Sequence, residues 1–427
     1  MISVEEAKEK ILGNANVLEP QTVPVLEALG QVLAEDVISG INIPPLDNSA
    51  MDGYAVIATD TTGTGERSPK VLKVIETVMA GSVGTKELTP GHATRIMTGA
   101  PIPTGANSIV RFEDTDEESR KNSGASPSEI GIHMAVKPGK DIRRAGEDIT
   151  AASLVLTRGT VVKPSVAGVL ASLGLSRVNV VRRPVVGILA TGDELVPLGE
   201  KLAPGKIYNS NTYSLAAQCR SFGAVPKILG IALDNEESLK RGIRDALKTD
   251  MLVTSGGVSM GDYDKVKNIL AAEGDIAFWT VRMKPGKPLA FGTLRSPDGR
   301  RIPHLGLPGN PVSSMITFEL FGRLAVAKMM GKPLTERPMI RVILEDMVKN
   351  TDSRRIYARA VVSQKDGRYY AKLTGAQGSG ILTSMSAANG LVIVPEDVPQ
   401  LAVGAEASAL MIDWNTEITE LTGGAAL

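Results

Sequence analysis

The sequence predicts a multidomain α/β plus β chain. It has a central doubly wound α/β domain, a discontinuous N-terminal helical domain with a β-rich insertion, and a C-terminal β-barrel-like domain. Three observations lead there. Over residues 183–331, apolar runs alternate with amphipathic helical stretches, the pattern of a parallel sheet covered on both faces. Ahead of that block, helical sequence is interrupted over 43–144 by short β-like runs separated by Gly and Pro. After it, four β-like runs surround Asp366-Gly367, a pair suited to a type I′ hairpin turn. The expected division is 1–42 with 145–182 for the N-terminal domain, 43–144 for the insertion, 183–331 for the α/β domain and 332–427 for the β domain.

The elements follow in order. Val4, Ala7, Ile11 and Leu12 share one face at helical spacing, and a second helical segment is expected near Val25–Leu33. Pro44-Pro45 then excludes helix and central strand. Leu46-Asp47-Asn48-Ser49-Ala50-Met51-Asp52-Gly53 packs two carboxylates, an amide and a hydroxyl into one loop. Asx-turns account for some of these groups, but a structural loop seldom needs so many. Gly53 is expected to free the backbone for an unusual turn before a strand at Tyr54–Ile57. Lys70–Val78 and Ser108–Phe112 read as strands, the acidic cluster Glu113–Glu118 as a solvated loop, and Ser165–Leu173 as helix. In the central block the strands are Val185–Ala190, Val225–Leu233, Asp250–Thr254 and Ile276–Val281, with a further short run at Ile302–Leu305. Asn211 or Thr212 is expected to cap a helix through Phe222, Glu236–Leu247 is amphipathic helix, and Asp264 or a neighbour opens another. Met339–Leu344, Ile356–Val362, Tyr369–Leu373 and Leu391–Val394 are the closing strands.

Composition narrows the chemistry. Lys plus Arg and Asp plus Glu both number 47, so nothing calls for a nucleic-acid or membrane partner. Met1–Lys10 has no apolar core of a signal peptide, and no run is apolar enough to span a bilayer. One cysteine, Cys219, excludes an internal disulfide framework and fits a reducing cytoplasm; with three histidines, a Cys/His zinc site is not expected. Any metal would be a hard cation held by oxygen. Cys219, Trp279 and Met329-Met330 read as packing.

In a doubly wound domain, ligands bind beyond the carboxyl ends of the strands, where this chain places its polar groups. Thr191-Gly192-Asp193-Glu194 follows the first strand, Asp234 the second, and Ser255-Gly256-Gly257-Val258-Ser259 the third, with Asp262 and Asp264 beyond. The Ser-Gly-Gly turn can present consecutive N–H groups to a phosphate. Lys284 and Lys287 bracket a Pro-Gly bend and can hold one anion between them, the bland alternative being two solvated lysines. Pro308-Gly309-Asn310-Pro311 is a rigid loop before a helix that Ser313 or Ser314 can cap; it serves ligand contact or helix entry equally well. Glu194, Asp234 and Asp264 at successive strand ends, facing phosphate, suggest Mg²⁺, although each can instead cap a helix.

These motifs, taken together, resemble the MoeA family of molybdopterin molybdenumtransferases, which includes the E domain of gephyrin. The likeness spans nearly the whole chain. It rests on Pro44–Val56, Arg95-Ile96-Met97-Thr98-Gly99-Ala100, Gly146-Glu147-Asp148-Ile149, Thr191–Leu195, Ser255–Ser259, Met283–Pro288 and Gly306–Ser313, in the family's order. The resemblance implies a cytoplasmic homodimer with four domains per chain. It also implies Mg²⁺-dependent insertion of molybdate into adenylylated molybdopterin with release of AMP. On that reading Ser255, Gly256, Gly257 and Ser259 help to hold phosphate and pterin, and Lys284 and Lys287 bind molybdate or phosphate. Pro308 and Pro311 shape their loop, and Glu194, Asp234 and Asp264 hold Mg²⁺ or position water. Asp52, Thr98 and Asp148 reach the cleft from the partner subunit. The spacing Asp262-Tyr263-Asp264 is one residue shorter than in some relatives, leaving open which of Asp262 and Asp264 serves. The protein partners implied are the molybdopterin adenylyltransferase and recipient molybdoenzymes. A tungstate insertase, a molybdopterin adenylyltransferase and a non-catalytic scaffold of the same fold are the competing readings.

Overall fold

A computed structural model describes residues 1–121, 128–233, 235–257 and 274–413. Helix α1 (Val4–Gly13) opens the chain; Ser3 Oγ accepts from the Glu6 amide at 3.0 Å, and Val4, Ala7 and Ile11 are buried. The helix expected near Val25–Leu33 does not form. Residues 25–30 are turns leading to a two-residue strand at Val32–Leu33. Pro24 removes a backbone donor at the entry, and Gly30 at φ +77° leaves the helical region. Leu26 and Leu29 are 84% and 48% exposed, so their helical spacing reports no buried face.

The chain forms two compact units, Pro24–Glu27 with Glu35–Val178, and Met1–Val23 and Ala28–Ala34 with Asn179–Leu427. The first is built on strands β1 (Gly53–Val56), β2 (Lys70–Val78), β3 (His92–Ile96), β4 (Ser108–Arg111) and β5 (Glu129–Ile132). Their order is β4-β1-β3-β2-β5, with β2 and β3 parallel and the other pairs antiparallel. Alternation along β1 sends Tyr54 and Val56 to one core and Ala55 to another. Gly53 serves differently from the expectation. It is not among the positive-φ glycines; instead, a Cβ there would lie 2.1 Å from the Val110 carbonyl oxygen, so only glycine lets the strands close. Helix α2 (Pro164–Ser172) follows, with proline in its first turn.

The second unit contains the α/β sheet: β6 (Val185–Thr191), α3 (Ser210–Phe222), β7 (Val225–Ala232), α4 (Glu236–Ala246), β8 (Met251–Ser255) and β9 (Gly274–Thr280). After the short β10 (Met283–Lys284) come β11 (Pro288–Arg295), β12 (Arg301–Leu307), α5 (Pro311–Thr317) and α6 (Arg323–Met329). The sheet order is β7-β6-β8-β12-β11-β9. Strands β7, β6, β8 and β12 are parallel; β11 alone runs against them, pairing antiparallel with both β12 and the edge strand β9, which therefore keeps the direction of the parallel set. Burial period marks a strand but not its direction, so the parallel-sheet expectation fails at β11 alone. Both faces are covered. Val186 and Ile188 pack with Leu215, Cys219 and Phe222 of α3, while Leu189 packs with Leu239 and Ile243 of α4. Cys219 is wholly buried, its thiol pushed up to about 12 by burial, and Trp279 stacks on Phe291 at 5.8 Å.

The chain then forms β13 (Met339–Leu344), β14 (Arg355–Lys365), β15 (Arg368–Leu373), β16 (Gly390–Val394) and β17 (Glu406–Met411). The pairing runs β14-β15-β13-β17-β16 and returns to β14, closing a five-stranded barrel around Val342, Ala358, Val392 and Ala409. The β14–β15 turn has Asp366 at φ +49° and Gly367 at φ +75°, as a type I′ turn requires.

Candidate functional site

A cleft of ≈ 860 Å³ lies in the second unit, beyond the carboxyl ends of β6, β8 and β12. Thr191 and Glu194 follow β6, Ser255 and Gly256 end β8, and Pro308–Pro311 follow β12. Lys284–Pro288 form another side, and Arg354 with Gln377–Gly380 arrive from the barrel sequence. Among the lining residues, three cations (Lys284, Lys287 and Arg354) face one carboxylate, Glu194.

The floor is set by close backbone packing. Gly256, at φ +94°, donates its N–H to the Leu307 carbonyl at 3.1 Å; a Cβ there would stand 2.5 Å from the Thr191 carbonyl oxygen. Gly257 follows at φ +68°. Asn211 Nδ2 donates to Ser255 Oγ at 2.8 Å and to the Gly309 carbonyl at 2.7 Å, tying the start of α3 to two strand-end turns. The cap expected of Asn211 or Thr212 belongs to Asn209, whose side chain accepts from the Thr212 amide, and Asn211 is thereby free for the cleft. Thr191 is 3% exposed, and its hydroxyl has no hydrogen-bond partner among the described residues.

The cationic wall joins two parts of the fold. Strand β10 pairs in parallel with β14, Met283 opposite Arg355 and Lys284 opposite Ile356. Arg354 Nη1 donates to the Met283 carbonyl at 3.3 Å, its other terminal nitrogen bonds the Asp352 carboxylate, and Lys284 Nζ lies 3.5 Å from that carboxylate. Arg354 first, and Lys284 after it, hold the Asp352 carboxyl below its usual range. Gly286 is at φ +104°, and a Cβ there would meet Thr317 Oγ1 at 2.5 Å, so the Lys-Pro-Gly-Lys bend presses on α5. Asn310 stands at the helix cap without a side-chain bond. Ser313 and Ser314, expected as caps, instead lie inside the first turns, 4% and 1% exposed; Ser313 lines the cleft. Pro311 at the first helical position places both serines beyond the capping position.

Of the expected carboxylates, Glu194 lines the cleft, exposed and folded back over Gly192, where a Cβ would meet Glu194 Oε2 at 2.4 Å. Asp234, Asp262, Asp264 and Ser259 lie outside the described residues. Among the described residues, no group of three His, Cys, Asp or Glu side chains could hold a metal ion. Glu194 alone offers one hard oxygen ligand, enough for a Mg²⁺ ion whose other ligands are phosphate oxygens and water.

In the first unit, Asp52 and Thr98 come together. Asp52 Oδ1 accepts from the Thr98 amide at 2.7 Å and from its hydroxyl at 2.8 Å, and these bonds, the amide's foremost, lower the Asp52 pKa. Asp47 accepts from the Ala145 amide at 2.8 Å and pairs with Arg144 at 2.6 Å. Asp148 is exposed, its amide donating to the Ile43 carbonyl at 3.0 Å.

The sequence reading missed Arg354 and the Gln377–Gly380 loop. The sole local signal was Arg354-Arg355 ahead of an apolar strand, since their place in the cleft comes from the β10–β14 pairing.

Strand-end turns, a cationic wall and a barrel-derived loop place the chain in the class of α/β proteins with a ligand cleft at the strand ends, one suited to small anionic molecules. Comparison gives the family. Residues 2–174 match the MoeA N-terminal region (domain I and II), 187–328 a probable molybdopterin binding domain, and 341–412 the MoeA C-terminal region (domain IV). The chain is 38% identical to molybdopterin molybdenumtransferase 2 of Mycobacterium tuberculosis over 415 residues, 95% of this chain and 98% of that one. It is 35% identical to the molybdopterin molybdenumtransferase of Bacillus subtilis over 419 residues, 96% and 94% of the two chains. The crystal structure of the molybdopterin biosynthesis MoeA protein from Pyrococcus horikosii superposes with a TM-score of 0.79 at 31% identity, covering 96% of this chain and 99% of that one. The chain belongs to the MoeA family.

Proposed function

We propose that this chain inserts molybdate into adenylylated molybdopterin in a Mg²⁺-dependent reaction that releases AMP. The observation that carries the reading is the convergence of Lys284, Lys287 and Arg354 on one cleft that the Thr191, Ser255 and Gly256 strand-end surface also lines. A tetrahedral dianion and a nucleotide phosphate are the ligands such a cleft can hold side by side. The turn of Ser255, Gly256 and Gly257, with Ser259, holds phosphate and pterin. Lys284 and Lys287, joined by Arg354 and Ser313, hold the oxyanion, and Pro308 and Pro311 fix their loop. Glu194, with Asp234 and Asp264, holds the Mg²⁺, which when bound would neutralise phosphate charge and favour loss of AMP.

Asp52, Thr98 and Asp148 are assigned to the same cleft from the partner subunit of a homodimer. The Asp52–Thr98 hydrogen bonds, which keep an exposed carboxylate ionised, support a role for that pair. We read the chain as cytoplasmic; among the described residues no helix is long and apolar enough to cross a membrane. The four-part division 1–42 with 145–182, 43–144, 183–331 and 332–427 goes with this reading, as do an adenylyltransferase and molybdoenzymes as partners.

The test uses purified protein, adenylylated molybdopterin, Mg²⁺ and molybdate, following AMP and metal-bound pterin. AMP release that needs both molybdate and Mg²⁺ supports the proposal. Tight pterin binding without AMP release points to an adenylyltransferase or scaffold, and a preference for tungstate to a tungstate insertase.

A further inference from the structure

We propose that Arg359 is a positioning residue for the cationic side of the cleft, its buried guanidinium clasping the loop that forms the barrel-derived wall. The inference rests on the oxyanion-insertion reading for its kinetic consequence, but not for its structural one.

Arg359 is among the largest fully buried side chains, 1% exposed. Its Nε donates to Ser384 Oγ at 3.0 Å, Nη1 to the Gln377 carbonyl at 3.1 Å, and Nη2 to the Gly378 and Ala376 carbonyls at 2.9 and 3.3 Å. The loop grips back: Gln377 Oε1 accepts from the Arg359 amide at 2.8 Å, and Gln377 Nε2 donates to the Arg359 carbonyl at 3.1 Å. Every oxygen that the guanidinium contacts through these bonds is neutral. Burying a guanidinium against neutral acceptors is a costly way to stabilise a barrel, since an apolar side chain of similar volume does so without desolvating a charge. The fork geometry of Arg does what an apolar residue cannot: it fixes three successive carbonyls at once.

Those carbonyls belong to a segment that needs fixing. Gly375-Ala376-Gln377-Gly378-Ser379-Gly380 has glycine at alternate ends and centre, and such a backbone samples many conformations unless it is tied. Its residues Gln377–Gly380 line the cleft. The next carbonyl, of Ser379, accepts from the Val312 amide at 3.1 Å, so the clasped loop in turn docks on the first turn of α5. Arg359 also shares its strand with the rest of the cationic wall, because Arg354 immediately precedes β14 and β10 lies along it. One strand therefore organises Lys284, Arg354 and the loop. Loosening the loop should disturb the site for the small oxyanion, and leave the Thr191, Ser255 and Gly256 surface intact.

The experiment compares full-length wild type with Arg359→Lys and Ser384→Ala. A lysine keeps the charge but cannot span three carbonyls, whereas Ser384→Ala removes one acceptor outside the cleft and covers the case in which Arg359→Lys does not fold. Two readouts are taken: the KM for molybdate against the Kd for adenylylated molybdopterin, and amide-exchange protection at Val312. Arg359→Lys is expected to raise the molybdate KM tenfold or more with the pterin Kd within twofold, and to cut Val312 protection at least tenfold. Ser384→Ala should move both in the same direction by a few-fold. A lower melting temperature with unchanged KM and unchanged Val312 protection would overturn the inference, as would equal weakening of both ligands. If the wild type fails to turn over molybdate, the function proposal falls; Val312 protection then decides the clasp alone, its retention in both variants overturning it.

Discussion

Gly256→Ala tests how the cleft floor is built. The added methyl would stand 2.5 Å from the Thr191 carbonyl oxygen and 2.9 Å from Thr191 Oγ1, far inside van der Waals contact. At φ +94° the backbone is itself unfavourable for an L-residue, by about 1–2 kcal/mol. Overpacking against rigid surroundings adds about 1–3 kcal/mol. Thr191 cannot retreat easily, because β6 is paired on both sides, Thr191 itself opposite Ala232. The turn must move instead, which breaks the Gly256 N–H bond to Leu307 and carries Ser255 away from Asn211. We expect a local destabilisation of about 2–5 kcal/mol, among the larger effects of single substitutions. Gly309→Ala is the control: the nearest atom to its Cβ is the Gly256 Cα at 3.8 Å, ordinary contact. Several cooperative parts share this chain, so the readout is amide exchange over β6, β8 and β12 rather than one global unfolding energy. Gly256→Ala exchanging like wild type, or Gly309→Ala opening as far, would refute the steric argument.

Three further outcomes are expected. His304 is buried and held neutral, its pKa pushed from 6.5 down to about 3 by desolvation. The unfolded chain takes up this proton near 6.5 and the folded chain does not, so its contribution is whole above 6.5 and is lost as pH falls toward 3. His304→Leu should flatten that part of the acid limb, and an unchanged slope of urea midpoint against pH would contradict this. Asn211→Ala deletes two hydrogen bonds of about 1 kcal/mol each and strips a partner from the buried Ser255 hydroxyl; weaker binding of adenylylated molybdopterin, read by calorimetry, is the expected result. Lys287→Ala and Asp52→Ala alter exposed side chains and should fold as wild type and keep its molar mass by light scattering, yet lose metal insertion. Full activity in either removes that residue from the site.

Legibility followed physics that is local. Apolar runs at β6 and β8 announced the doubly wound core because burial on both faces leaves no polar alternation, whereas β7 carries its apolar run at a largely exposed sheet edge. The Asp366-Gly367 turn was readable because positive φ at both positions restricts the residues that fit. Strand β11 is not legible locally, since Pro288 opens it and Gly292 interrupts its apolar run. Its antiparallel direction depends on pairing with β12, which no local pattern encodes. The helix cap was misplaced by two or three residues because Asn209, Ser210, Asn211 and Thr212 are all competent caps. Gly53 was read as a turn residue, whereas its reason is a carbonyl from a strand more than fifty residues on, at Val110. The strand-end lysines and Glu194 were recognisable from position, but Arg354 and the Gln377–Gly380 loop reach the cleft only through tertiary pairing.

The parallel register of β10 on β14 has a consequence for how such a chain can be cut or recombined. A fragment ending after α6 would retain the Ser255-Gly256 turn, yet the lysine segment would lose the neighbour it lies along. Grafting a foreign barrel after Gly331 would need not merely a stable module but one whose first long strand opens with an arginine and runs in register with Met283 and Lys284. A substitution on either side of that pairing must therefore be tolerated by a surface that the other side helps to make.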